Sequence, residues 1–290
     1  MNINKLKGTG VALVTPFDRS GNIDFPALRK LVEHCIRGKV DYLVPMGTTG
    51  ESVTLSAKER RAVVDFIVEI NRGRVPVMMG LGGNNTEEVL RSFDDYDFDG
   101  IAAVLSVSPY YNRPSQTGII RHYKAIARQS PVPVIAYNVP ARTGSAMEAT
   151  TTLELAYGAD NLVGIKEASG SMERVMAILQ DRPSGFLVIS GDDALTLPII
   201  ACGGDGLISV IANAYPRETS GMVKAALAGD YKLARKHHYG LLEMTNAIFA
   251  EGSPSGIKGL LQLKGICSGH VRMPLVPASK ALLSRLHSLM

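Results

Sequence analysis

Eight short apolar runs recur at roughly the thirty-residue length of a βα unit, and nothing else in the chain constrains its fold as tightly. They cover residues 10–16 (GVALVTP), 41–47 (DYLVPMG), 75–82 (VPVMMGLG), 100–109 (GIAAVLSVSP), 132–140 (VPVIAYNVP), 161–168 (NLVGIKEA), 185–193 (GFLVISGDD) and 206–216 (GLISVIANAYP). The runs are continuous rather than alternating. Both faces of each strand are therefore buried, as in a parallel sheet covered by helices. Amphipathic stretches lie between the runs. Residues 55–70 are the clearest helix: Ser56 reads as its N-cap, Glu59 completes a capping box, and Val63, Phe66, Ile67 and Ile70 form the stripe. Residues 117–129 and 171–181 have the same character.

Eight such units predict a (β/α)8 TIM barrel. Residues beyond 216 lack a further strand and read as the last barrel helix followed by appended helices. The expected division is a barrel over 1–225 and a C-terminal helical extension over 226–290. A doubly wound sheet is the competing architecture, but no G-x-G-x-x-G opens a helix after the first strand. With 290 residues, 46% of them hydrophobic, the chain has ample material for such a core.

The net charge of +4 is scattered, which leans toward anionic substrates without forming a nucleic-acid or membrane patch. Cys35, Cys202 and Cys267 are odd in number and far apart, giving neither a disulfide framework nor a zinc pattern. No run approaches the roughly 18 apolar residues of a membrane span. The N-terminal apolar run is too short for a signal peptide, so a cytoplasmic protein is expected.

In a barrel of this kind, chemistry belongs at the C-terminal strand ends. The second run leads into Gly47-Thr-Thr-Gly-Glu-Ser52 and the fourth into Ser108-Pro-Tyr-Tyr-Asn-Arg-Pro114. The fifth ends in Tyr137-Asn-Val-Pro-Ala-Arg-Thr-Gly144, the sixth carries Lys166, and the seventh ends in Ser190-Gly-Asp-Asp193. Hydroxyls, phenols, one arginine and one lysine would converge on one mouth. That set holds proton carriers and an amine nucleophile but few metal ligands, and no HExxH spacing appears.

Each residue also has an ordinary reading. A lone strand lysine is most often solvated or snorkelling. Lys166 could pair with Glu167, but strand neighbours point to opposite faces. It shares parity with Gly164, which would leave room inside the barrel. Tyr137 reads alone as a core tyrosine with its hydroxyl at the rim, and Tyr110-Tyr111 as interface aromatics. Thr48 and Thr49 read as turn hydroxyls, Arg142 as a surface ion-pair member, and Asp192-Asp193 as caps of the next helix. His237 and His238 are adjacent, so a helix points them apart on a solvated face. The chemical case rests on joint placement.

In that order and spacing, GTTGES, SPYYNRPSQ, YNVPARTG, GIKEASG and SGDD closely resemble the dihydrodipicolinate synthase family, within the N-acetylneuraminate lyase superfamily of class I aldolases. The likeness runs from about Gly8 to Pro277. It implies condensation of pyruvate with aspartate semialdehyde on the route to diaminopimelate and lysine, with no cofactor and no metal. Lys166 would form the Schiff base with pyruvate and Tyr137 would pass protons beside it. Thr48 and Tyr111 would complete a proton relay, Tyr111 reaching in from a neighbouring subunit of a tetramer built as a dimer of dimers. Thr49 and the backbone at Ile208 would hold the pyruvate carboxylate, Gly191 would lie close to the substrate, and Arg142 would hold the carboxylate of the semialdehyde. Lysine-inhibited relatives bind that effector through positions matching Ser52, Asn84, Glu88 and Tyr110. They carry histidines where this chain has Ala57 and Arg60, which implies weak feedback inhibition here. A neuraminate lyase or a 2-keto-3-deoxy sugar-acid aldolase would use the same lysine on another aldehyde. A barrel that binds a metabolite without turnover is a reading of a different class.

Overall fold

The computed structural model describes residues 3–290. Eight parallel strands form one sheet: β1 (Gly8–Ala12), β2 (Tyr42–Val44), β3 (Met78–Gly80), β4 (Ala103–Val107), β5 (Val134–Asn138), β6 (Leu162–Glu167), β7 (Leu187–Ser190) and β8 (Gly206–Ser209). Their order is β2-β1-β8-β7-β6-β5-β4-β3, and a parallel bridge between Leu43 and Val77 joins the two ends. This is the (β/α)8 barrel the eight runs predict. Seven strands lie inside their runs. β1 instead starts two residues early, at Gly8, and its ladder ends before Thr15-Pro16, where proline has no N–H to donate.

The helices between and after the strands are α1 (Phe25–Arg37), α2 (Ala57–Asn71), α3 (Thr86–Ser92), α4 (Gln116–Gln129), α5 (Pro140–Thr143), α6 (Ala149–Gly158), α7 (Met172–Asp181), α8 (Thr196–Ala201), α9 (Pro216–Leu227), α10 (Tyr231–Phe249), α11 (Ser255–Leu263) and α12 (Lys280–Ser288). The capping box on α2 forms in both directions, with Ser56 accepting from the Glu59 N–H and the Glu59 carboxylate accepting from the Ser56 N–H. Val63, Ile67 and Ile70 of the stripe are buried and Phe66 is half-buried. No helix among the described residues is long and apolar enough to cross a membrane.

The barrel interior is filled by alternate residues, including Tyr42, Met78, Leu105, Ile135, Tyr137, Leu187, Ile189 and Ile208. Two glycines make that filling fit. A Cβ on Gly10 would fall 2.1 Å from the Tyr42 ring, so the ring takes that space. A Cβ on Gly164 would fall 2.7 Å from the Leu187 carbonyl oxygen and 2.8 Å from its Cβ. The room that Gly164 leaves thus belongs to Leu187 rather than to Lys166.

The helical extension packs against loops at the C-terminal strand end of the barrel. The Ser268 hydroxyl donates to the Phe17 carbonyl after β1, and the Arg272 guanidinium donates to the carbonyls of Gly21 and Thr54. Every residue of α11 from Ser255 to Leu261 is buried. His237 and His238 depart from the expected solvated face: both are half-buried, His237 facing Gly221 of α9, where an added Cβ would fall 3.1 Å from its Nε2.

Candidate active site

Register brings the central pair together. Tyr137 on β5 stands opposite Lys166 on β6, and both point inward at 7% and 6% exposure. Lys166 Nζ lies 4.2 Å from the centroid of the Tyr137 ring, a cation–π distance. Among the described residues Lys166 has no ion pair and no hydrogen bond. Glu167 does not serve it: its carboxylate, buried on the outward face, accepts from Asn138 Nδ2 at 2.8 Å and the Ser169 N–H at 2.7 Å. Burial pushes the Glu167 carboxyl above its usual range, partly offset by those bonds.

Space beside the lysine comes from Gly191 after β7. A Cβ there would fall 2.9 Å from Lys166 Cε and 2.7 Å from the Ala168 Cβ. Ile208 on β8 is buried in the same interior cluster.

A cleft of about 430 Å³ opens above this pair. Thr48 and Tyr137 line it near Lys166 and Arg142 lines its rim, with Leu105, Val107 and Val139 as an apolar wall. Lys166 does not line the cleft; it stands against the ring of Tyr137, which does. Thr48 is exposed to the cleft, whereas Thr49 is buried. Arg142, exposed at the rim, donates from Nη2 to the Ser253 carbonyl at 3.5 Å. Tyr111, one of the expected site residues, does not line the cleft. It is 90% exposed, with φ at 72° in the left-handed region.

The cleft continues outward past Ser52, Asn84, Glu88 and Tyr110, with Arg60 and Tyr96 beside them. Asn84 Nδ2 donates to the Tyr110 carbonyl at 3.0 Å, and Asn112 Nδ2 to the Asn84 carbonyl at 2.8 Å, so the loops after β3 and β4 are tied together. Burial raises the Tyr96 phenol, with the Arg60 guanidinium opposing. Ala57 is exposed at the first position of α2.

The two acidic residues after β7 behave differently from the expected helix caps. Asp192 Oδ1 accepts from the N–H groups of Ala194 and Leu195, making a turn before α8. Asp193 is buried and crosses to the turn after β8, accepting from the Ser209 hydroxyl at 2.5 Å and the Val210 N–H at 2.9 Å. No side chain caps α8.

One group escaped the reading of the sequence. Glu51, inside GTTGES, is buried and ion-paired with Lys258 of α11, whose ammonium is fully buried. Burial pulls the Lys258 ammonium down from the usual lysine range, with Glu51 opposing. The available signal was a lysine in the apolar run GIKGLLQL, the same kind of signal that singled out Lys166.

Comparison with known proteins agrees with this arrangement. Residues 5–290 match the model of the dihydrodipicolinate synthetase family. A 4-hydroxy-tetrahydrodipicolinate synthase of Flavobacterium psychrophilum is 49% identical over 279 residues, covering 96% of this chain and 95% of that protein. A monomeric dihydrodipicolinate synthase variant superposes with a TM-score of 0.96 at 34% identity, over 99% of this chain and 96% of the other. The chloride-inhibited dihydrodipicolinate synthase of Acinetobacter baumannii, complexed with pyruvate, gives 0.94 at 36% identity, over 98% and 97%. A barrel with an unpaired inward lysine beside a tyrosine, matched along nearly its whole length, leads to one assignment: the chain belongs to the dihydrodipicolinate synthetase family.

Proposed function

We propose that this chain catalyses the condensation of pyruvate with L-aspartate 4-semialdehyde, the 4-hydroxy-tetrahydrodipicolinate synthase reaction of the diaminopimelate route to lysine, through a Schiff base on Lys166. The observation that carries it is a buried lysine with no counter-charge, 4.2 Å from the Tyr137 ring centroid, with a glycine in place of a side chain beside its Cε.

The Lys166 amine adds to the pyruvate ketone, water leaves, and an iminium forms that draws electrons from the methyl carbon. Loss of a methyl proton gives the enamine, whose carbon attacks the aldehyde. Every step moves a proton. Tyr137 beside the amine and Thr48 in the cleft carry protons without introducing a standing charge. Thr49 and the backbone at Ile208 hold the pyruvate carboxylate, and Gly191 leaves the volume next to Lys166 clear. Arg142 stands at the rim, where its planar fork suits the second carboxylate. The apolar wall of Leu105, Val107 and Val139 offers a sugar polyol no partners, which weighs against a sugar-acid aldolase.

The outward Tyr111 supports a homo-oligomer, a tetramer of two dimers, in which the partner subunit's Tyr111 completes the relay. The outer cleft at Ser52, Asn84, Glu88 and Tyr110 is an effector site weakened for lysine by Arg60.

The test is borohydride reduction in the presence of pyruvate, followed by peptide mass spectrometry. The reduced pyruvyl adduct is expected on Lys166. An adduct elsewhere, or none with active protein, overturns the reading.

A further inference from the structure

The Thr48–Thr49 turn is held from behind by a residue of the helical extension. Glu51 follows that turn directly and takes a left-handed backbone, φ 53° and ψ 34°, that residues bearing a β-carbon seldom adopt. Its carboxylate is satisfied on both oxygens. Oε1 accepts from Lys258 Nζ, 207 residues away on α11, and Oε2 accepts from the Arg272 N–H at 2.9 Å. The ammonium has no latitude either: Nζ also donates to the His270 carbonyl at 2.9 Å and lies 4.1 Å from the Phe17 ring centroid. Both side chains are out of solvent, at 0% and 1% exposure. On the barrel side the Thr15 hydroxyl donates to the Gly50 carbonyl at 2.6 Å, closing the clamp.

Stability alone does not account for such a pair, because a well-packed apolar pair at a buried site stabilises as well or better. What a carboxylate adds is direction. It accepts two donors at set angles and so fixes the peptide that carries it. That peptide leads back through Gly50 to Thr49 and Thr48.

We propose that Glu51 and Lys258 are positioning residues: their buried pair sets where the Thr48 and Thr49 hydroxyls stand at the barrel mouth, so that α11 governs pyruvate binding as well as fold stability. The proposal rests on the roles given to Thr48 and Thr49 above.

The test compares Lys258→Met, Glu51→Gln and the double variant carrying both, by melting temperature and by steady-state kinetics well below each melt. Lys258→Met should lose melting temperature and roughly 100-fold in kcat/KM for pyruvate, the scale of a small misplacement at a reacting centre. Its KM for aspartate semialdehyde should be little changed. The double variant leaves no charge unpaired, so its melting temperature should recover while the pyruvate defect persists. Pyruvate kinetics that recover together with the melt would overturn the proposal, as would a Lys258→Met protein that melts early but handles pyruvate normally. If Lys258→Met does not fold, Glu51→Gln decides: a defect of the same kind but smaller supports the proposal, and normal pyruvate kinetics overturns it. If the parent protein is not trapped by pyruvate on Lys166, the functional reading fails separately. A crystal structure of Glu51→Gln then judges the positioning claim: a displaced Thr48–Thr49 turn supports it and an unmoved one overturns it.

Discussion

Lys166 and Lys258 lie deep in the same molecule, each with its ammonium against an aromatic ring, at 4.2 Å from Tyr137 and 4.1 Å from Phe17. Their surroundings are opposite. Lys258 has a carboxylate and a carbonyl as partners and no exposure to solvent. Lys166 has no anion and no hydrogen bond among the described residues, and it faces a glycine where a side chain would touch its Cε. Burial by itself is therefore a poor guide to what a charged residue does. An ammonium whose partners are all supplied is structure, whereas one that lacks a partner and has space beside it is free to exchange one covalent state for another.

The contrast is broken or sharpened most strongly by exchanging the two losses. Lys166→Ala should abolish the borohydride adduct and lower turnover by on the order of 1,000-fold or more, the scale of removing a covalent catalyst. Its stability in urea should be unchanged or slightly raised, since no bonded partner is stranded. Lys258→Met should instead lose about 3–5 kcal/mol of unfolding free energy, because Glu51 is left buried and unpaired, and keep the borohydride adduct on Lys166. Equal losses of stability in the two variants would erase the distinction between the two lysines.

Arg142 extends the scale to a cation that is exposed and, among the described residues, bonded only to a carbonyl. Arg142→Ala should leave pyruvate trapping nearly intact, while kcat/KM for aspartate semialdehyde falls by the equivalent of about 1.5–3 kcal/mol. Equal loss in both steps would make it a structural residue. Arg60, in the outer cleft, should show the smallest effect. A second cation about 6 Å away repels it by roughly 2–3 kcal/mol at an effective dielectric near 20, before screening. L-lysine at millimolar concentration should therefore inhibit the initial rate only weakly, with both substrates near half-saturation. Strong saturable inhibition would mean that Arg60 grips the effector's carboxylate instead.

The barrel was legible because two-sided burial leaves each strand as an unbroken apolar run. The misplaced start of β1 shows the limit: Gly8 and Thr9 are buried strand residues that do not look apolar. The placement of the candidate site was legible wherever a residue stands at the end of a run, as with Thr48, Tyr137 and Arg142 at the cleft and Lys166 beside Tyr137. Glu51 and Lys258 were not, because each looks ordinary in its own segment and their pairing depends on how α11 packs, which no local pattern encodes. Asp193 is a similar case, its partners being set by the turn after β8 rather than by the helix that follows it. The half-buried histidines of α10 likewise reflect a packing face that adjacency alone does not reveal.

Under the proposed relay, Tyr111, 90% exposed on its own chain, would make ownership of a catalytic centre divisible between gene copies. A chain with Lys166→Ala would have no nucleophile but could still lend a phenol; a chain with Tyr111→Phe would keep its nucleophile and need only to borrow one. Co-expressed in a cell that lacks the endogenous enzyme, two alleles that each fail alone would assemble mixed dimers with one working centre and restore growth without added diaminopimelate. Dominance and recessiveness at this locus would then follow from which face of the barrel a mutation strikes.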